Sequence, residues 1–347
     1  MSVQQEAVPA ADVATSLLGR PYRLSDTYEV GREKIREFAR AVQDHHLAHY
    51  DVRVARTLGH EGLVAPITFT AILGGISQRC VFEQFLPGYD LSQVLQTEQR
   101  IRQHRPLRAG DDITCRITLD AFRAGHGQDS FVLRTDMSDQ TGALVQTGWT
   151  TAVARSGGVV DENIAQAVEG ILMRAATEAG GEIGSSVVHL VEDDTGALAV
   201  ADSVAPQPKR RFADVSVGDE ISARTVQVAR GDLVNYAGVS GDENPIHWSE
   251  QVVDLAGLDN VVAHGMLTMA FGGGYLSEWV GDPGAVIEYG VRFTRPVFVE
   301  ANTPAEVTYT GKIKELDEST RTATIVLNAT ARGSRIFGKA TAIVQLA

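Results

Sequence analysis

Only two cysteines, Cys80 and Cys115, stand among the 347 residues. They lack the spacing of metal ligands, and neither sits beside a histidine as a nucleophile does, so both are expected to be small packed residues in a reducing compartment. Long apolar runs are missing too; none approaches the roughly 18 residues that span a bilayer. The first twenty residues have neither a basic start nor a continuous apolar core, which excludes a secretory signal there and makes the cytoplasm the expected location. Positive charge is scarce: 31 Lys and Arg face 44 Asp and Glu, a net of −13. A nucleic-acid partner is therefore not expected, because neutralising phosphates requires a basic face. What is present is a globular composition, 44% hydrophobic and 22% charged, in a chain long enough for two domains with a core each.

The chain contains a hidden repeat. Sliding it on itself by 198 positions pairs Ala39 with Ala237, Asp44 with Asp242, His49 with His247 and Gly59 with Gly257. The same shift pairs Val64-Ala65 with Val262-Ala263, Thr70 with Thr268, and Gly74-Gly75 with Gly272-Gly273. One ungapped register over some forty residues marks a duplicated domain. Each half reads as a strand, a helix (Glu33 to Val42; Asp232 to Gly238), a polar turn, a short helix closed by glycine, a long apolar helix, and four alternating strands. Gly272, Gly273 and Gly274 cost about 1 kcal/mol each in an exposed helix, but inside a wrapped sheet they permit close approach. The expected fold class is α+β, with an antiparallel sheet curled round a buried helix in each half.

The chemistry is concentrated in Tyr236-Ala237-Gly238-Val239-Ser240-Gly241-Asp242-Glu243-Asn244-Pro245-Ile246-His247 and in Ala263-His264-Gly265-Met266-Leu267-Thr268. A carboxylate and an imidazole five residues apart are held in a turn by Gly241 and Asn244-Pro245, as a paired acid and base require. Downstream, His264-Gly265 opens the long helix, whose first N–H groups lack intrahelical acceptors and can polarise a carbonyl. These strings resemble the signature of the MaoC-like, or hydratase 2, family, a G-D-x-N-P-x-H turn followed by an A-H-G-M helix start. The resemblance implies a double hot dog, with Asp242 and His247 as the catalytic pair and Gly265, His264 and Asn244 around the oxyanion and substrate. It extends over residues 17–155, which look like the A subunit of the actinobacterial (3R)-hydroxyacyl-ACP dehydratase, and 209–347, which look like its B subunit.

That family member implies dehydration of a 3R-hydroxyacyl chain on acyl carrier protein in the type II fatty-acid synthase that elongates mycolic-acid precursors. Its implied partners are acyl carrier protein and other elongation enzymes, with no cofactor and no metal. A homo-oligomer of double hot dogs is a further candidate. The alternative is an R-specific enoyl-CoA hydratase acting on CoA thioesters. Asp44 and His49 repeat the D-x4-H spacing, but His46-Leu47 replaces Asn244-Pro245 and Pro66-Ile67 replaces His264-Gly265, so a polar remnant is expected there rather than a second site. The helix after Pro66 carries Ile67, Phe69, Ile72 and Leu73, then Gly74-Gly75, and its continuation from Ile76 to Tyr89 is expected to be interrupted by Arg79, Glu83 and Pro87-Gly88, leaving an apolar gap for an acyl tunnel at Phe69, Leu73 and Gly75. Arg100, Arg102 and Arg105 lie in the densest basic run, the candidate dock for the acidic carrier, with Arg292 competing. Residues 1–16 are expected to be a mobile leader. Residues 156–208 are expected to be a mostly flexible acidic linker containing a helix over 165–179; nine acidic residues against Arg174 between Asp161 and Asp202 give −8 of the −13.

Overall fold

The computed structural model describes residues 9–89, 94–125, 127–155, 188–202 and 205–347. The first half opens with α1 (Ala10–Ser16), β1 (Pro21–Leu24), β2 (Tyr28–Glu29) and α2 (Arg32–Ala41), then α3 (Val52–Thr57) and α4 (Ala71–Phe85). Strands β3 (Leu95–Gln103), β4 (Asp112–Arg123), β5 (Asp129–Ser138) and β6 (Leu144–Ala154) follow, with a short β7 (Leu190–Glu192). The second half repeats the order as β8 (Glu220–Val228), α5 (Arg230–Ser240), α6 (Glu250–Leu255), α7 (Gly265–Val280), β9 (Val286–Phe293), β10 (Ala305–Asp317), β11 (Thr322–Ala331), β12 (Ser334–Arg335) and β13 (Phe337–Gln345).

One sheet runs through both halves in the order β7-β1-β4-β5-β6-β3-β9-β13-β11-β10-β8. Read outward from the centre, β3-β6-β5-β4-β1 and β9-β13-β11-β10-β8 have the same topology, so the duplication in the sequence is a duplication of architecture. The halves join where β3 pairs antiparallel with β9, Ile101 opposite Tyr289. Each half curls round its own long helix, which is the double hot dog. Helix α7 is buried at twelve of its sixteen residues, and its glycines are required by the approach of neighbours. A Cβ on Gly272 would lie 2.2 Å from the Tyr289 hydroxyl, one on Gly273 would lie 3.2 Å from Ile67, and one on Gly274 3.3 Å from the Asp44 carboxyl carbon.

Three expectations are corrected. Helix α4 is not interrupted at Arg79 or Glu83: it runs unbroken from Ala71 to Phe85 after a 3-10 turn at Ile67–Thr70. Arg79 and Glu83 lie on its exposed side, and Pro87-Gly88 come only after its end. The leader is ordered from Ala10, where α1 buries Ala14 against the core. Residues 188–202 are not a loose tether either, since β7 pairs with β1 and Asp193 takes a 2.7 Å hydrogen bond from the buried Arg116 guanidinium. An acidic run reads as a linker until its cation is in view. The helix expected over 165–179 lies outside the described residues. No helix among the described residues is long and apolar enough to cross a membrane.

Candidate active site

Helix α5 ends at Gly241, which takes the left-handed conformation (φ 80°) that closes the helix and turns the chain. Asp242 follows, its N–H donating to Ser240 Oγ at 3.2 Å. Asn244 caps the next 3-10 turn, Pro245–His247, through a 3.2 Å bond from Ile246 N–H to its Oδ1. This places His247 with its ring pointing back at Asp242, Nε2 to Oδ2 3.9 Å. On the other side of the ring, Nδ1 lies 2.7 Å from the Val262 carbonyl. A carbonyl only accepts, so Nδ1 carries the proton and Nε2 presents a bare lone pair. Burial is the largest influence on His247 and holds its pKa below 6.5, against the opposing pull of Asp242 and the Val262 carbonyl. At neutral pH the ring is therefore an uncharged base.

The first half holds the same turn in a different state. His49 Nδ1 lies 2.6 Å from the Val64 carbonyl, the same bond 198 positions earlier. His49 Nε2 sits 3.2 Å from Asp44 Oδ2, and the two side chains are 0% and 4% exposed, whereas the Asp242 side chain is 49% exposed. Gly274 of α7 packs on Asp44 and closes that side. Its register counterpart facing the second turn is Ile76 of α4, and the neighbouring Gly75 is exposed, with open space where a side chain would project. One turn is sealed as an ion pair, and the other stays open, its carboxylate half exposed and free space beside Gly75 of α4.

Both halves border that open turn. Gly265 is the first residue of α7, where N–H groups have no intrahelical acceptor, and Phe293 lies 3.4 Å from where its Cβ would be. From the first half, Arg79 Nη2 donates to the Gly241 carbonyl at 3.3 Å, and Gln96 Nε2 reaches Met266 Sδ at 3.4 Å. Neither contact is visible in the sequence, where Arg79 reads only as an interruption of an apolar helix. The Val262 carbonyl was equally hidden, since a main-chain atom carries no residue signature; only its recurrence at Val64 hints at it.

Other expected site residues are moved. His264 is fully buried behind His247, their rings stacked with centroids 3.7 Å apart, so it does not line the substrate space. Asn244 spends its side-chain oxygen on the turn. Phe69 and Leu73 are core residues, Phe69 packing edge-on against Phe38 at 5.3 Å. Arg105 is no dock: it is buried and bonded to Asp111 at 2.7 Å and to Asp139 at 2.7 Å. Arg100 lies over Trp149 at 3.7 Å and 3.8 Å from Glu288, while Arg102 is exposed. Asp242, His247 and His264 bring one ligand atom each within 4.8 Å of one another. Stacked imidazoles direct their in-plane lone pairs side by side rather than toward one point, so the trio suits proton transfer better than a metal.

Comparison with known proteins agrees with this geometry. Residues 16–148 match the family described as FAS1-like, dehydratase domain region, and residues 212–330 match the MaoC like domain. A solved MaoC-like dehydratase is 41% identical, with 96% of this chain and all of that one covered, at a TM-score of 0.87. The chain belongs to the MaoC-like dehydratase family. Over 141 residues it is also 43% identical to a UPF0336 protein of Streptomyces griseus, covering 41% of this chain and 94% of that protein. A UPF0336 protein of Mycolicibacterium paratuberculosis is 36% identical over 145 residues, 42% of this chain and 91% of that protein. A conserved hypothetical protein of Mycobacterium tuberculosis described as a double hotdog fold shares the architecture at a TM-score of 0.61 and 14% identity, over 99% of this chain and all of that one.

Proposed function

We propose that this chain removes water from a 3R-hydroxyacyl thioester on acyl carrier protein, giving the trans-2-enoyl thioester in fatty-acid or mycolic-acid elongation. The observation that carries the reading is the bare Nε2 of His247, fixed by the Val262 carbonyl and aimed toward Asp242 at the open turn. His247 takes the C2 proton, and the Gly265 N–H receives the developing enolate oxygen. The Asp242 carboxyl, in its protonated form, donates that proton to the C3 hydroxyl, directly or through a water held by both groups; the hydroxyl leaves as water, and the His247 imidazolium returns the C2 proton to Asp242. Run backward, the same groups hydrate an enoyl thioester.

In this reading residues 209–347 supply the chemistry and residues 17–155 shelter the acyl chain, which passes over the exposed Gly75. The acidic carrier docks on the outer face of β3 and β9 through Arg102, Arg100 and Arg292. The test is turnover of one 3R-hydroxyacyl chain presented on acyl carrier protein and on CoA. A higher kcat/KM with the protein carrier is expected. Equal or better turnover of the CoA thioester would make the chain an R-specific enoyl-CoA hydratase, and no dehydration of either would overturn the reaction itself.

A further inference from the structure

His264 has no role in the chemistry above, yet it occupies the space directly behind the catalytic imidazole. Its Nε2 lies 3.1 Å from the main-chain carbonyl of Asp242. That carbonyl can only accept, so His264 carries its proton on Nε2 and leaves Nδ1 bare. Nδ1 is buried and has no hydrogen-bond partner among the described residues; the buried Tyr236 hydroxyl has Ser240 beside it as a donor to its oxygen and still has its own O–H to place. The two rings lie with centroids 4.9 Å apart. An O–H without an acceptor and a nitrogen without a donor, on neighbouring buried rings, satisfy each other directly or through one shared water, and leaving both unmade is costly.

The sealed half sharpens the point. In the register of the repeat, Tyr236 corresponds to Phe38 and His264 to Pro66, so neither polar group exists there. That half fixes its turn by the direct 3.2 Å contact of Asp44 with His49. The open half cannot do so, because Asp242 must stay apart from His247 to leave room for substrate.

We propose that Tyr236 and His264 are positioning residues, a buried chain from the Tyr236 hydroxyl to His264 Nδ1 and from His264 Nε2–H to the Asp242 carbonyl that holds the catalytic turn while the His264 ring backs His247. Burial, then the neighbouring His247, lowers the His264 pKa to about 3, so the ring stays neutral and keeps this tautomer across the working range. The chain acts on where Asp242 and His247 sit, without touching substrate.

The proposal rests on Asp242 and His247 being the catalytic pair, and its test separates the two. Nitrogen-15 NMR of the intact, unsubstituted protein should show His264 as a neutral Nε2–H tautomer from pH 5 to 8; an Nδ1–H tautomer or a cation overturns the chain. His264→Phe keeps the stacked ring but loses the donor, and should lower kcat about 100-fold, as a small misplacement of reacting groups does, with KM within about twofold. His264→Gln places a carboxamide N–H where Nε2 was and should restore most of that loss, whereas His264→Asn, one carbon shorter, should not. Tyr236→Phe should cost about fivefold and almost nothing in the His264→Phe background. Full kcat in His264→Phe, or additive losses, would overturn the positioning role alone. Activity surviving in Asp242→Asn would instead overturn the catalytic assignment.

Discussion

The same substitution made at the two copies of one turn should have opposite consequences. Asp44→Asn and Asp242→Asn each replace one carboxyl oxygen by an amide nitrogen and keep the shape of the side chain. Asp44 is sealed 3.2 Å from His49, and despite the opposing effect of burial, His49 holds its pKa at about 2, below the ordinary 3.8. That difference of nearly two units corresponds to about 2.5 kcal/mol of folding stability at neutral pH. Leaving a buried cation with no partner costs about 3–5 kcal/mol; the asparagine amide can still donate to a neutral His49, so the lower figure is expected. The pH dependence has two limbs of known sign. Asp44, lowered, contributes above pH 3.8 and loses that contribution as pH falls toward 2. His49, raised above 6.5 by Asp44 against its burial, contributes fully below 6.5 and loses it as pH rises through its folded pKa. Urea unfolding across pH should therefore show a plateau between about 4 and 6.5 that Asp44→Asn flattens, with turnover kept. Asp242→Asn, on a side chain half exposed and 3.9 Å from its histidine, should abolish turnover and leave unfolding unchanged. If Asp44→Asn removes activity at unchanged stability, the sealed turn is a second active site and the reasoning fails.

Further tests follow from the site. Burial keeps His247 below 6.5, so its base form persists under that pH, and the acid limb of kcat/KM should fall below 6.5; a limb above it would mean that another group is the base. Arg105→Ala strands Asp111 and Asp139 and should destabilise by about 3–5 kcal/mol, while Arg102→Ala should leave unfolding within about 0.5 kcal/mol and raise KM for the carrier-bound substrate; a large unfolding shift from Arg102→Ala would argue against an exposed dock. Gly75→Leu should reduce turnover of long acyl thioesters, at roughly fourfold per displaced methylene contact, and spare short ones. Equal loss at every chain length would place the acyl group elsewhere.

Much of this was legible in the sequence because it is local or repeated. The D-x4-H spacing and the shift of 198 located both turns, and alternating residues marked the strands. What stayed hidden depends on partners brought from afar. Arg105 reads as part of a basic run until the turn at Asp111 and the end of β5 deliver two carboxylates to it. Helix α4 reads as broken because Arg79 and Glu83 interrupt its apolar run, yet both lie on its exposed side and the helix continues to Phe85. His264 reads as substrate-facing from its place in the motif; only the stacking on His247 shows that its ring is buried behind that histidine.

The asymmetry between the halves has its physical origin in the long helices. Gly273 and Gly274 let α7 settle onto Ile67 and Asp44, and that approach excludes solvent from the first turn and makes its carboxylate and imidazole a structural ion pair. The partner helix α4 carries Gly75 but then Ile76, and the same approach is not made at the second turn, which stays open. A pair buried without substrate would be drawn together and spent on folding, as Asp44 and His49 are. Kept 3.9 Å apart, with the Asp242 side chain half exposed, Asp242 and His247 retain unused hydrogen-bonding capacity. Duplication thus supplied two copies of one turn, and helix packing decided which of them is sealed as an ion pair and which keeps its carboxylate half exposed.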